Sequence, residues 1–177
     1  MTQPIICPSC QLPQQFPEDA PAPGGEAYCR NCGVPLPPPD AAPHPATILW
    51  IDDDQLLLSV CGETFERYGY RVLAVSDGPA GIVVATREQP DLILLDVMML
   101  SMNGLEVCER LRTEPTLADT PIVLLTVLED ASVRDRGREA GATAMWPKWL
   151  EPEELLSKVA RLIGRSRHRR GDRSGMA

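Results

Sequence analysis

The chain has 177 residues and a formal net charge of -8, with 17 Lys and Arg against 25 Asp and Glu. This length holds one ordinary domain with a small appendage. Apolar residues make up 44%, too many for general disorder, and the acidic balance excludes a whole-chain basic footprint for nucleic acid. No apolar run approaches the roughly 18 residues of a membrane span. The N-terminus lacks the basic-then-apolar order of a signal peptide. A cytoplasmic protein without membrane insertion is expected.

Twelve of the 18 prolines fall within residues 1–45, which carry one basic and four acidic residues. Four cysteines stand there in two pairs, Cys7-Pro-Ser-Cys10 and Cys29-Arg-Asn-Cys32, with 18 residues between the pairs. That double spacing matches a four-cysteine Zn²⁺ site, in which two tight turns each offer two thiolates to one tetrahedron. Gly33 suits the turn after the second pair. So small a segment buries too little surface to fold alone, and the metal would supply the stability. Two disulfides would need an oxidising compartment, and a redox Cys-x-x-Cys needs only one pair. The head, residues 1–34, also resembles the short bacterial zinc-ribbon segments found at the front of regulatory proteins. Its single basic residue, Arg30, makes a protein contact or a structural cap a better expectation than nucleic acid.

The six prolines of the run Pro35 to Pro45 lack N–H donors and fix φ, so it reads as a semi-rigid linker over residues 35–45. From residue 46 apolar strands alternate with helices five times. Thr47-Ile-Leu-Trp-Ile51 leads into Asp52-Asp53-Asp54. A helix follows with Leu56, Leu57, Val60, Cys61, Thr64 and Phe65 as its apolar spacing, stopping near Gly69. Residues 70–75 form a second strand. Asp77 opens a helix to about Gln89. Asp91-Leu-Ile-Leu-Leu95 is a third strand ending at Asp96, with a helix from Gly104 to about Arg112. Pro121 to Leu125 is a fourth strand ending at Thr126, with a helix from about Glu129 to Ala140. Residues 142–146 form a short fifth strand before Lys148. Pro152 to about Ile163 is the last helix, with Gly164 at its end. The Arg-rich residues 165–177 lack apolar period and read as a disordered tail. Cys61 and Cys108 read as small core residues.

Continuous apolar strands alternating with helices specify a parallel sheet covered on both faces. Five such units fit a flavodoxin-like, doubly wound α/β fold of strand order 2-1-3-4-5, whose ligands bind beyond the carboxyl ends of the strands. Asp52, Asp53, Asp96, Thr126 and Lys148 all belong to that edge. Three neighbouring carboxylates resist joint ionisation without a cation, and hard oxygen ligands suit Mg²⁺. A lysine and a hydroxyl beside them describe a site where an aspartate accepts a phosphoryl group. Asp54 is expected to cap its helix instead.

In these motifs, taken in order over residues 46–164, the sequence resembles the receiver domain of two-component response regulators. The resemblance implies that Asp96 is the phosphoacceptor. It also implies that Asp53 binds Mg²⁺ directly, Asp52 through water, and Met98 by its backbone carbonyl. Thr126 and Lys148 would hold phosphoryl oxygens. The donor would be a sensor histidine kinase or phosphotransfer protein, and the output a contact with an unidentified downstream protein.

Departures from the family pattern bear on switching. Trp149 follows Lys148 where a proline is usual, and a non-proline cis bond would be costly. Met145 stands three residues before the lysine in place of an aromatic, and Trp146 should face the other side of the strand. Val127 replaces a small residue, and Leu100 a frequent proline. With no helix-turn-helix or cyclase-sized segment, a stand-alone receiver without a dedicated enzyme activity is expected. The rival is a zinc-ribbon adaptor whose receiver-like body works unphosphorylated. An aspartyl phosphatase would want an acid two residues after the nucleophile, where Met98 stands.

Overall fold

The computed structural model describes residues 5–6, 13–14, 27–28, 35–36, 46–127 and 130–174. Within the head, β1 (Ile5–Ile6) pairs antiparallel with β2 (Pro13–Gln14), and β3 (Ala27–Tyr28) with β4 (Pro35–Leu36). Cys7, Cys10, Cys29 and Cys32 lie outside the described residues. The pairing of Pro35–Leu36 carries the head two residues into the expected linker. A two-stranded pair has no inner strand, so a proline there forfeits no central ladder bond.

The body is one parallel sheet of β5 (Thr47–Ile51), β6 (Arg71–Val75), β7 (Leu92–Asp96), β8 (Ile122–Thr126) and β9 (Ala144–Pro147), in the order β6-β5-β7-β8-β9. This is the expected 2-1-3-4-5 arrangement. Every residue of β7 and β8 is buried, as strands covered on both faces require. Helices α1 (Gln55–Arg67), α2 (Gly78–Glu88), α3 (Gly104–Thr113), α4 (Ala131–Glu139) and α5 (Pro152–Ser174) connect and follow the strands.

Two apolar layers result. Leu49, Ile51, Ile93, Leu95 and Leu124 point into one, against residues of α3. Ile48, Trp50, Leu92, Leu94, Val123 and Leu125 point into the other, against Leu155, Leu156 and Val159 of α5. The period-two alternation of the strands divides these neighbours cleanly. Met145 and Trp146 separate in the same way, Met145 into the first layer and Trp146 into the second.

Two expectations need correction. Leu56 and Val60 do not belong to the buried face of α1; they are 74% and 56% exposed, while Leu58, Gly62 and Phe65 are buried. The run of apolar residues offered two overlapping helical faces, and contact with the sheet selects the one through Leu58 and Phe65. Residues 165–174 of the Arg-rich tail are helical rather than irregular, because α5 continues past Gly164 to Ser174. Arginine is a good helix former, and basic residues near a helix C-terminus favour its dipole.

Candidate functional site

The site grows from the register of the sheet. Ile51 is level with Val75 and Leu95, Asp96 with Leu125, and Thr126 with Pro147. Backbone bonds carry the pairing onward: Asp52 N donates to Val75 O, Val97 N to Leu125 O and Lys148 N to Thr126 O. Asp52, Asp96, Thr126 and Lys148 therefore leave neighbouring strands at one edge, as the sequence motifs require.

Lys148 ties the acids together. Its Nζ donates to Asp52 Oδ1 at 3.0 Å and to Asp96 Oδ2 at 2.6 Å. Burial opposes charge on this ammonium, but the bonds to Asp96 and Asp52 outweigh it and raise its pKa above the ordinary value. Burial pushes the Asp52 carboxyl up, against the opposing effects of the Asp54 amide and Lys148. Asp52 is fully buried and Asp96 nearly so. Their low-dielectric setting makes the shared lysine more effective than an exposed one would be.

The backbone holds the remaining oxygens. Asp52 Oδ1 also accepts from Asp54 N at 2.9 Å, Asp96 Oδ1 from Met98 N at 3.2 Å, and Asp53 Oδ2 from Leu100 N at 3.1 Å. Asp54 turns away and caps α1, accepting from Leu56 N and Leu57 N. Thr126 is buried at the end of β8. No cis peptide bond occurs among the described residues, so the Lys148–Trp149 bond is trans.

The acids fit a hard cation. One carboxylate oxygen from each of Asp52, Asp53 and Asp96 can lie within 4.8 Å of the others. Asp52 Oδ2 is buried and meets no hydrogen-bond partner among the described residues. A buried, orphaned carboxylate oxygen costs free energy, and a divalent ion in the pocket would satisfy it. The sequence motifs find Asp52, Asp53, Asp96, Thr126 and Lys148. They do not find the amide of Leu100, whose only signal is that residue 100 is not proline and so has an N–H.

Exposed apolar side chains flank the acids. Leu56, Met98, Leu100, Val127 and Trp149 are large, exposed hydrophobic residues. Each lies a few residues beyond the carboxyl end of a strand, on the edge that bears the acids.

The matches with known proteins cover this same region. Residues 48–160 match the response regulator receiver domain. The chain is 37% identical over 119 residues to the DNA-binding dual master transcriptional regulator RpaA of Synechocystis, spanning 67% of this chain and 49% of that protein. It is 38% identical over 120 residues to the response regulator MprA of Mycobacterium leprae, spanning 68% and 52%. It thus spans about half the length of these two curated relatives. The chemotaxis protein CheY4 of Vibrio cholerae superposes with a TM-score of 0.64 at 30% identity, covering 67% of this chain and 98% of that one. A receiver domain of a histidine kinase from Syntrophus aciditrophicus gives 0.62 at 31% identity, covering 67% and 90%. None of the described helices is long and apolar enough to cross a membrane. With the fold, the acidic edge and these likenesses in agreement, the chain belongs to the response regulator receiver domain family.

Proposed function

We propose that this chain is a phosphorylation-dependent response regulator whose phosphoacceptor is Asp96. The observation that carries the reading is Lys148 Nζ held between Asp52 and Asp96. It places a cation where phosphoryl charge would develop on the acceptor, and fixed charge of this kind lowers the barrier to phosphoryl transfer. An oxygen of Asp96 forms the new P–O bond as the P–N bond to a donor imidazole breaks. The imidazole leaves with a proton, and Lys148 and the Thr126 hydroxyl bind oxygens of the transferred group. Asp52, Asp53, Asp96 and the Met98 carbonyl would hold Mg²⁺, which when bound offsets the negative charge of acceptor and phosphoryl group.

The donor in this reading is a histidine kinase or a phosphotransfer protein. The exposed apolar residues Leu56, Met98, Leu100, Val127 and Trp149 offer it a surface beside Asp96. Output passes by contact with a downstream protein. No dedicated enzyme activity is assigned, in keeping with receiver domains generally.

The head is assigned a Zn²⁺ held by Cys7, Cys10, Cys29 and Cys32. Two features support this. Each Cys-x-x-Cys occupies the connection of an antiparallel pair. In each, the first cysteine directly follows the first strand and the second precedes the return strand by three residues. The domain plan is then a metal-bearing head over 1–34, a linker over 35–45 whose first two residues join the head's pairing, a receiver over 46–164, and a basic helical extension.

Intact mass after incubation with acetyl phosphate tests the phosphoacceptor. A Mg²⁺-dependent phosphoryl adduct is expected on the wild type and not on Asp96→Asn. Folded wild type that stays unmodified by acetyl phosphate and by a candidate kinase would instead support the unphosphorylated adaptor. Metal analysis of the same preparation should find one Zn²⁺ per chain, lost on Cys7→Ser/Cys29→Ser.

A further inference from the structure

We propose that the backbone amide of Leu100 is a positioning group for Asp53. It holds that carboxylate toward the metal pocket and ties the β7–α3 connection to the pocket's occupancy. The inference rests on the Mg²⁺ reading above and adds a determinant to it.

Asp53 differs from its two acidic neighbours. Asp52 and Asp96 are buried and share Lys148, whereas Asp53 is half-buried and makes no ion pair with that lysine. Three carboxylates this close repel, and the least buried one lowers its energy by turning toward water. Leu100 N opposes that turn, donating to Asp53 Oδ2 at 3.1 Å across 47 positions of sequence. A hydrogen bond to a charged acceptor is among the stronger ones.

The donor is itself well fixed. Two residues earlier, Met98 N donates to Asp96 Oδ1. One residue later, Ser101 Oγ donates to Asp77 Oδ1 at 2.7 Å. Gly104 N closes the connection onto Val97 O at 2.9 Å. The segment 97–104 thus binds two of the three acids of the pocket through alternate amides, and its far side is anchored on the cap of α2.

The side chain of residue 100 adds nothing to this. It is 98% exposed, so its packing within the chain is negligible, and what the position contributes to the pocket is its N–H. A proline at this position would have no such donor. Leucine at position 100 therefore makes a contact to the Asp53 carboxylate that a proline there could not make.

The test separates amide from side chain. Mg²⁺ is titrated into the full chain, and dissociation constants are read from ¹H–¹⁵N shifts of Val97 and Gly104. Three proteins are compared: wild type, Leu100→Ala, and a variant with the α-hydroxy acid of leucine at position 100, whose ester keeps the side chain and lacks the N–H. Circular dichroism confirms that each is folded. Leu100→Ala should bind within about twofold of wild type, and the ester about five- to tenfold more weakly, as loss of one bond to a charged group implies. An ester that binds as tightly as wild type overturns the proposal. So does Leu100→Ala weakened as much as the ester, since the side chain would then be responsible. A wild type with no Mg²⁺-dependent shifts would overturn the metal reading itself, and this proposal with it.

Discussion

Helices α3 and α4 follow the two strands that bear Asp96 and Thr126, yet they are held in opposite ways. In α3, Gly104, Leu105, Val107, Cys108 and Leu111 are all buried. In α4, with the sequence Ala-Ser-Val-Arg-Asp-Arg-Gly-Arg-Glu, only Gly137 is buried. Fully burying a Leu or Val side chain contributes about 1.5–3 kcal/mol, so α3 is fixed by its own packing. It also secures the far end of its neighbour. Arg112, in its last turn, donates to Gly141 O at 2.8 Å, to Leu117 O at 3.0 Å and to Thr120 O at 2.8 Å. The lesson is a division of labour around one site. The helix after the proposed phosphoacceptor is part of the core, and the helix after the hydroxyl residue lies on it with little to lose by moving.

The sharpest way to break this contrast is to add one methyl group to each helix. A Cβ at Gly104 would collide with the carbonyl oxygen of Asp96, and one at Gly137 with Met145 Sδ. The first obstacle is backbone, the second the flexible end of a side chain. Gly104→Ala should therefore cost about 3 kcal/mol or more and disturb the acidic pocket directly. Gly137→Ala should stay within about 1 kcal/mol of wild type, because better helix propensity offsets the displacement of Met145. Urea unfolding of both variants decides the matter; equal losses would erase the distinction.

Truncation should give a smaller contrast of the same sign. Leu111→Ala removes a fully buried side chain and should destabilise by about 3 kcal/mol. Val133→Ala, on the half-buried side of α4, should cost less than about 1 kcal/mol. The same unfolding curves supply both values.

An alkaline titration sharpens the comparison further. Burial pushes the Cys108 thiol up from 9.0 to about 11. In the unfolded chain the thiol ionises near its ordinary value, while the folded protein keeps it protonated. Its contribution to stability is therefore complete below pH 9 and is lost as the pH rises toward 11. The loss amounts to at most about 2–3 kcal/mol. Stability measured across this window should fall less steeply in Cys108→Ala than in wild type. Parallel slopes would place the alkaline lability elsewhere.

Much of the site was legible because strand-end residues lie in sequence where they lie in space. A parallel sheet brings the carboxyl ends of its strands to one edge, so Asp52, Asp96, Thr126 and Lys148 were readable from their positions alone. The cap role of Asp54 was readable too, since the acid stands directly before an apolar helix. What escaped had no periodic signature. The buried face of α1 was misplaced onto Leu56 and Val60, because Leu56, Leu57 and Leu58 permit more than one helical stripe and only packing against the sheet, where Trp50 meets Phe65, chooses among them. The extension of α5 was missed because Gly164 marks a possible helix end without enforcing one.

The sequence by itself determined the alternation of strand and helix, the order of the acidic, hydroxyl and lysine positions, and the family to which they belong. These depend on local periodicity and on residue type, which the chain carries residue by residue. Only the tertiary structure decided that one ammonium bridges Asp52 and Asp96, that Asp52 Oδ2 is left buried without a partner among the described residues, and that the amide of Leu100 reaches Asp53. The hydrogen bonds among them join residues 47 to 96 positions apart. They are set by how far each strand runs before it turns, which no local pattern records.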